Sequence, residues 1–368
     1  MYCFCRVVTL ILLLLLFTPA NVISANTVYI EHTNRNASGF SDPEAQSSPS
    51  GGNWNYRLAA YVDELGQRRQ STYNYPASDE NGSCRSEYDK LFEDDVLKIN
   101  LAFGYADTKE GVTSDKIFFD ATAHTLKRHC RRGRYVCGFK ETNRNNNTIT
   151  LEKNLRRRQG FRNKKIKITM AYSSRTPNDV DNFRAPNQIS MAQRSYTQKA
   201  KSVFFDGIAG RQSKCEMCVY YGHSRGGGGP DFRPVPHGWR KRNNSPNYWI
   251  YREHQLGYKK MIESLLDAGD DPPQLLALFS CKNYKHFYRG KARLKKGRLS
   301  LEHFAEQTGF ILTPNLTNFA HWHRLIGTFL DAAIGLKCKS AWQKNFKDRR
   351  LLINDTQVEQ YDIYGEFL

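Results

Sequence analysis

The sequence predicts an α/β fold: a sheet of mainly parallel strands with crossover helices, preceded by a strand-rich N-terminal region. Three observations predict it. From about residue 161 onward, apolar runs of strand length alternate with apolar positions at helical spacing. One run, Leu275 to Ser280, is continuous, as a strand buried on both faces requires. Before residue 160 the apolar runs are short and broken by turn residues and asparagine clusters.

In chain order, residues 1–25 read as a cleaved secretory signal. Arg6 supplies the positive start, Val7 to Phe17 the apolar run, and Val22/Ser24 or Ile23/Ala25 the small residues before cleavage. The run is too short to span a bilayer and no later run is long enough, so no transmembrane anchor is expected and the protein is placed in the periplasm or outside the cell. Residues 26–56, rich in Asn, Ser, Gly and Pro, read as an extended leader. Residues 57–160 form the strand-rich region, with runs at Val96 to Phe103, Lys116 to Phe119, Tyr135 to Phe139 and Thr148 to Leu151. Arg156 to Lys165 is a basic linker.

The α/β domain follows at 161–345. Ile166 to Tyr172 alternates as a strand, and Ser190 opens a helical stretch to about Ile208. Cys215 to Gly222 is the next strand. Tyr251, His254, Tyr258, Met261, Ile262 and Leu265 mark one helix that stops at Gly269 before Pro272. Leu275 to Ser280 and Gly309 to Thr313 are strands, and Phe319, Trp322, Ile326, Phe329, Leu330 and Ala333 mark a last helix. Residues 346–368 read as a C-terminal tail.

Lys+Arg 55 against Asp+Glu 36 gives a net charge of +19, or +18 once residues 1–25, with their single Arg and no acid, are removed. Such a surplus favours polyanions, nucleic acid or an anionic envelope polymer, as partners of a basic surface. An apolar share of 39% excludes a chain disordered throughout. Export leaves seven cysteines, an odd number, so at least one stays unpaired within the chain. Cys130 and Cys137 bracket a basic turn that a disulfide could close.

Ligands of open α/β sheets bind beyond the carboxyl ends of the strands. One strand end delivers His223, Ser224 and Arg225 into the glycine run Gly226 to Gly229, then Pro230 and Asp231. Another delivers Cys281. A thiol and an imidazole at neighbouring strand ends are the parts of a nucleophilic dyad, and glycines beside the histidine let main-chain N–H groups approach an oxyanion.

On these two strand-end motifs the chain resembles the caspase-like cysteine peptidases, the group of caspases, metacaspases, legumain and gingipains. Those enzymes carry an apolar strand ending in His-Gly and a later one ending in the nucleophilic Cys. Here Ser224 stands where they have Gly, and Ser280 precedes the cysteine. The resemblance implies a caspase-like sheet, His223 as general base and Cys281 as nucleophile. It also implies oxyanion donors in the main chain of Ser224 and Cys281, with Gly226 in the same loop, a peptide or protein substrate and no cofactor. Arg225 and Asp231 are candidates for binding a charged substrate side chain, or for pairing with each other.

Two other readings stand beside it. Gly222 to Gly226 is a literal G-x-S-x-G, the nucleophile elbow of serine esterases and lipases, with Ser224 as nucleophile and Asp331 or another later Asp orienting His321 or His323. That elbow opens a helix directly, which Pro230, Pro234 and Pro236 oppose. Alternatively the chain is a non-catalytic basic protein that binds polyanions, with Lys285 to Arg298 as a phosphate-contacting segment. Cys215-x-x-Cys218 with His223 imitates a zinc knuckle, but Gly228 stands where a fourth ligand would fall, so a disulfide or core packing is expected and no metal site. His237-Gly238 follows Pro236 rather than a strand.

Overall fold

Val96–Phe103 (β1) buries every residue from Ile99 onward, and that run, apolar but for Asn100, makes it a central strand. The computed structural model describes residues 58–63, 88, 90–106, 113–131, 134–155, 163–177, 179–185, 188–211, 213–288, 299–317, 322–347, 351–354, 357–359 and 362–364. The expected signal and leader, most of the basic linker and residues 289–298 lie outside them.

Seven further strands join β1 in one sheet: Lys140–Asn145 (β2), Thr148–Asn154 (β3), Lys165–Tyr172 (β4), Met217–Tyr221 (β5), Leu275–Phe279 (β6), Gly309–Leu312 (β7) and Asp362–Tyr364 (β8). Their order is β8-β7-β6-β5-β1-β4-β3-β2. Strands β4, β1, β5, β6 and β7 run parallel. β2 and β3 form an antiparallel hairpin at one edge, and β8 pairs antiparallel with β7 at the other. The fold is therefore α/β, with a mainly parallel sheet and crossover helices.

Helices cover both faces because successive strand side chains point to opposite sides. Leu97, Ile99, Leu101, Val219, Ala277 and Ile311 pack with Ser114–Lys127 (α1), Trp322–Ile334 (α5) and Lys339–Lys347 (α6). Tyr220, Leu276, Leu278 and Phe310 pack with Met191–Lys201 (α2), the π-helical turn after it and Leu256–Ala268 (α4). All five side chains of β6 are buried. At about 1.5–3 kcal/mol for each fully buried large aliphatic or aromatic side chain, this strand anchors both layers.

Several expectations are corrected. Lys116 to Phe119 lies inside α1, not in a strand, because Phe118, Ala121, Thr122, Thr125 and Leu126 form a buried helical stripe. Tyr135 to Phe139 is irregular, shaped by the Cys130–Cys137 disulfide. The boundary at 160 crosses one sheet, since β1 is hydrogen-bonded between β4 and β5. The single helix expected to end at Gly269 is two, Tyr248–His254 (α3) and α4, broken where Gln255 takes a left-handed conformation, φ 49°. The tail contributes β8 to the sheet.

Among the described residues no helix is long and apolar enough to cross a membrane. Cys130–Cys137 and Cys215–Cys218 are disulfides, and Cys338 is disulfide-bonded.

Candidate active site

β1 has β4 on one side and β5 on the other, so the strand order reverses beside it. Open α/β sheets place their ligands beyond the carboxyl ends at such a switch point. His223 leaves β5 there, and Cys281 leaves the neighbouring β6.

The two strands are paired in register from Met217 with Leu275 to Tyr221 with Phe279, and the Gly222 N–H donates to Phe279 O at 3.2 Å. His223 and Cys281 each lie two residues past the last rung. Their predecessors at two-residue spacing, Val219 and Tyr221, Ala277 and Phe279, share one face of the sheet. Both residues are half-buried.

Cys281 is the one cysteine among the described residues that stands outside a disulfide. Its sulfur accepts the Thr317 N–H at 3.4 Å and its S–H points to Thr317 O at 3.8 Å. The turn that carries it is pinned by buried Asn283. Its Nδ2 donates to Leu278 O and to Ser280 O, the latter at 2.8 Å, while its Oδ1 accepts the Thr313 N–H at 2.6 Å. These anchors escaped the sequence reading. An asparagine two residues after a strand-end cysteine is the local signal, but its partner Thr313 is thirty positions away.

The loop after His223 is equally fixed. The buried Tyr220 hydroxyl lies 3.0 Å from His223 O and 3.1 Å from Asp231 O, and accepts the Asp231 N–H at 2.9 Å. Ser224 O accepts the N–H groups of Gly227 and Gly229 at 3.0 and 2.9 Å. Gly227 has φ +105°, a conformation only glycine adopts readily, and a Cβ there would lie 3.3 Å from His286 Nδ1. His286 belongs to the turn Tyr284–Tyr288 that follows Cys281, so the segments leaving the two strand ends touch. On its other side the loop meets α3. A Cβ on Gly226 would lie 3.2 Å from Tyr248 Cβ, and one on Gly228 would lie 2.5 Å from Tyr251 O.

Arg225 and Asp231 take the second of their two expected roles and pair with each other. Nε to Oδ2 is 3.0 Å and the Arg225 side chain is wholly buried. The guanidinium also sits over the Tyr251 ring at 5.5 Å. As placed, the pair closes the glycine loop and presents neither charge to a substrate.

Beside this edge, Asp115 in the first turn of α1 accepts the N–H groups of Ser173 and Ser174 just beyond β4, at 3.0 and 2.7 Å. Burial pushes its carboxyl up to about 6 in spite of those hydrogen bonds.

The remaining candidates are not brought together. Ser224 is 3% exposed and opens only a three-residue 3₁₀ turn that Gly226 kinks, not the helix of a nucleophile elbow. Asp331 is held by the Tyr135 hydroxyl and by Lys337. His323, eight residues earlier on the same helix, is about 12 Å away along its axis, and His321 lies outside the described residues. Phe287, expected in a basic contact segment, is buried and stacked on Tyr258. His237 lies in a 3₁₀ turn against Phe183. Among the described residues no cluster of His, Cys, Asp and Glu could hold a metal ion.

No family model, no curated protein and no solved structure matches the chain.

Proposed function

We propose that the protein is an exported cysteine peptidase, or a peptidase-like binder, acting on extended peptides through Cys281 and His223. The observation that carries this reading is their equivalent position two residues past the carboxyl ends of neighbouring, in-register parallel strands, with Cys281 outside any disulfide. Export is supported by the apolar run of residues 7–17 and fits the disulfides.

In this mechanism His223 takes the proton from the Cys281 thiol and the thiolate adds to the scissile carbonyl carbon. The main-chain N–H groups of Ser224 and Cys281, the donors implied by the caspase-like resemblance, receive the oxyanion. The tetrahedral species collapses as the imidazolium gives its proton to the leaving amine, and a thioester remains on Cys281. Water, deprotonated by His223, then hydrolyses it. The Thr317 N–H at the sulfur favours the thiolate over the thiol.

The test is amidase activity against a mixed peptide library. Cys281→Ala and His223→Ala should each abolish cleavage without changing the unfolding midpoint. Cleavage that survives Cys281→Ala would reject the reading. The non-catalytic polyanion-binding alternative has the +19 charge in its favour. Salt-sensitive binding to nucleic acid by a protein without amidase activity would be its signature.

A further inference from the structure

Residues 232–254, between the glycine loop and α4, form an ordered excursion at the carboxyl edge. A turn at 240–246 is closed by the Lys241 N–H to Ser245 O bond at 2.8 Å, and the Asn247 N–H donates to Trp239 O at 2.7 Å just before α3. The stretch carries Arg233, Arg240, Lys241, Arg242 and Arg252 against one acid, Glu253. Arg233, Lys241, Arg242 and Arg252 form no ion pair among the described residues. Arg252 stands one turn from Trp249 on α3, so the two share a face. Trp249 is 64% exposed, an unusual position for a tryptophan.

α3 lies directly against the glycine loop through Tyr248 and Tyr251. Arg252 and the exposed indole of Trp249 are therefore carried by the helix that packs on the glycine loop following His223.

We infer that this excursion is a subsite for an acidic stretch of the peptide, with Trp249 covering an apolar side chain and Arg242, Arg252 and Lys241 receiving carboxylates; this rests on the peptidase reading above. The ring arrangement favours a peptide over a single-stranded nucleic acid. A single strand needs successive open rings for its bases. Here Trp239 is stacked on His254, 5.0 Å between centroids, and packed edge-on to Tyr251, so Trp249 is the one large apolar side chain of the stretch left mostly exposed. One ring among separate guanidinium groups matches alternating apolar and acidic side chains, and Arg binds carboxylates in a bidentate fork.

The experiment measures binding of fluorescein-labelled peptides to the full chain carrying Cys281→Ala, so that nothing is cleaved. A glutamate-rich peptide should bind at least about tenfold more tightly than its glutamine counterpart. The double charge reversal Arg242→Glu, Arg252→Glu should remove that preference, and Trp249→Ala should weaken binding of both peptides. Equal binding of the two peptides, or a preference unchanged by the charge reversals, would overturn the subsite. So would single-stranded oligothymidylate that binds more tightly than the glutamate-rich peptide through the same residues. If the wild-type protein cleaves peptides without regard to glutamate, the peptidase reading stands and this subsite falls. If the glutamate preference is found but no peptide is cleaved, the subsite stands and the peptidase reading falls.

Discussion

The Arg225 guanidinium and the Asp231 carboxylate, six residues apart, meet inside the protein at 3.0 Å and lock the glycine loop between them. Removing one partner of a buried pair leaves an uncompensated charge, which costs about 3–5 kcal/mol. Arg225→Met and Asp231→Asn should each lower the urea midpoint strongly and suppress peptide cleavage. The double variant should recover part of the stability. Single variants with wild-type midpoints would show that the pair does not hold the loop.

Gly227 carries a second constraint. At φ +105° an alanine is strained, and its methyl would crowd the His286 ring. Gly227→Ala should cost about 1–3 kcal/mol and reduce cleavage more than stability alone accounts for, because the loop and the turn after Cys281 would be pushed apart. Full activity in this variant, at any stability, would mean that the contact does not shape the site.

Asn283 joins the end of β6 to Thr313 beyond β7. Asn283→Ala would leave the Ser280 carbonyl and the Thr313 N–H without their Asn283 partner, at about 1–3 kcal/mol, while Leu278 O keeps the Ser280 N–H. Denaturant unfolding should report this loss, and alkylation of Cys281 should change rate because its turn is no longer pinned. An unchanged midpoint would contradict the role assigned to Asn283.

Parts of this architecture are legible in the sequence and parts are not. β6 is legible because a strand buried on both faces has no polar positions to blur it. α1 is not, because much of its buried stripe is Ala and Thr, which carry little apolar signal. β2, Lys-Glu-Thr-Asn-Arg-Asn, is exposed throughout and is a strand only because it pairs with β3. The strand-end positions of His223 and Cys281 could be read from two local patterns. The Thr317 main chain at the sulfur could not, since chain closure over thirty-six positions leaves no local mark.

The pH dependence of stability follows from Asp115. Its carboxyl is near 6 in the folded protein against an ordinary value of 3.8, so the folded state holds the proton more tightly. Its contribution is fully present below about pH 4 and is lost as the pH rises through about 6. Glu216 at the opposite edge, pushed up to about 7 by burial with the Lys98 ammonium offsetting only part, acts in the same direction. Urea midpoints measured from pH 4 to 7 should fall less steeply for Asp115→Asn than for the wild type. Identical slopes would place Asp115 in contact with water in the folded state.

In the proposed dyad His223 acts on Cys281, and the rate of Cys281 alkylation by iodoacetamide at neutral pH reads that action. His223→Ala should slow this reaction about tenfold or more, because the thiolate fraction falls when the imidazole is removed, while a control substitution on β2, Thr142→Ala, should leave it unchanged. Equal rates in wild-type protein and His223→Ala, with both folded, would contradict the dyad.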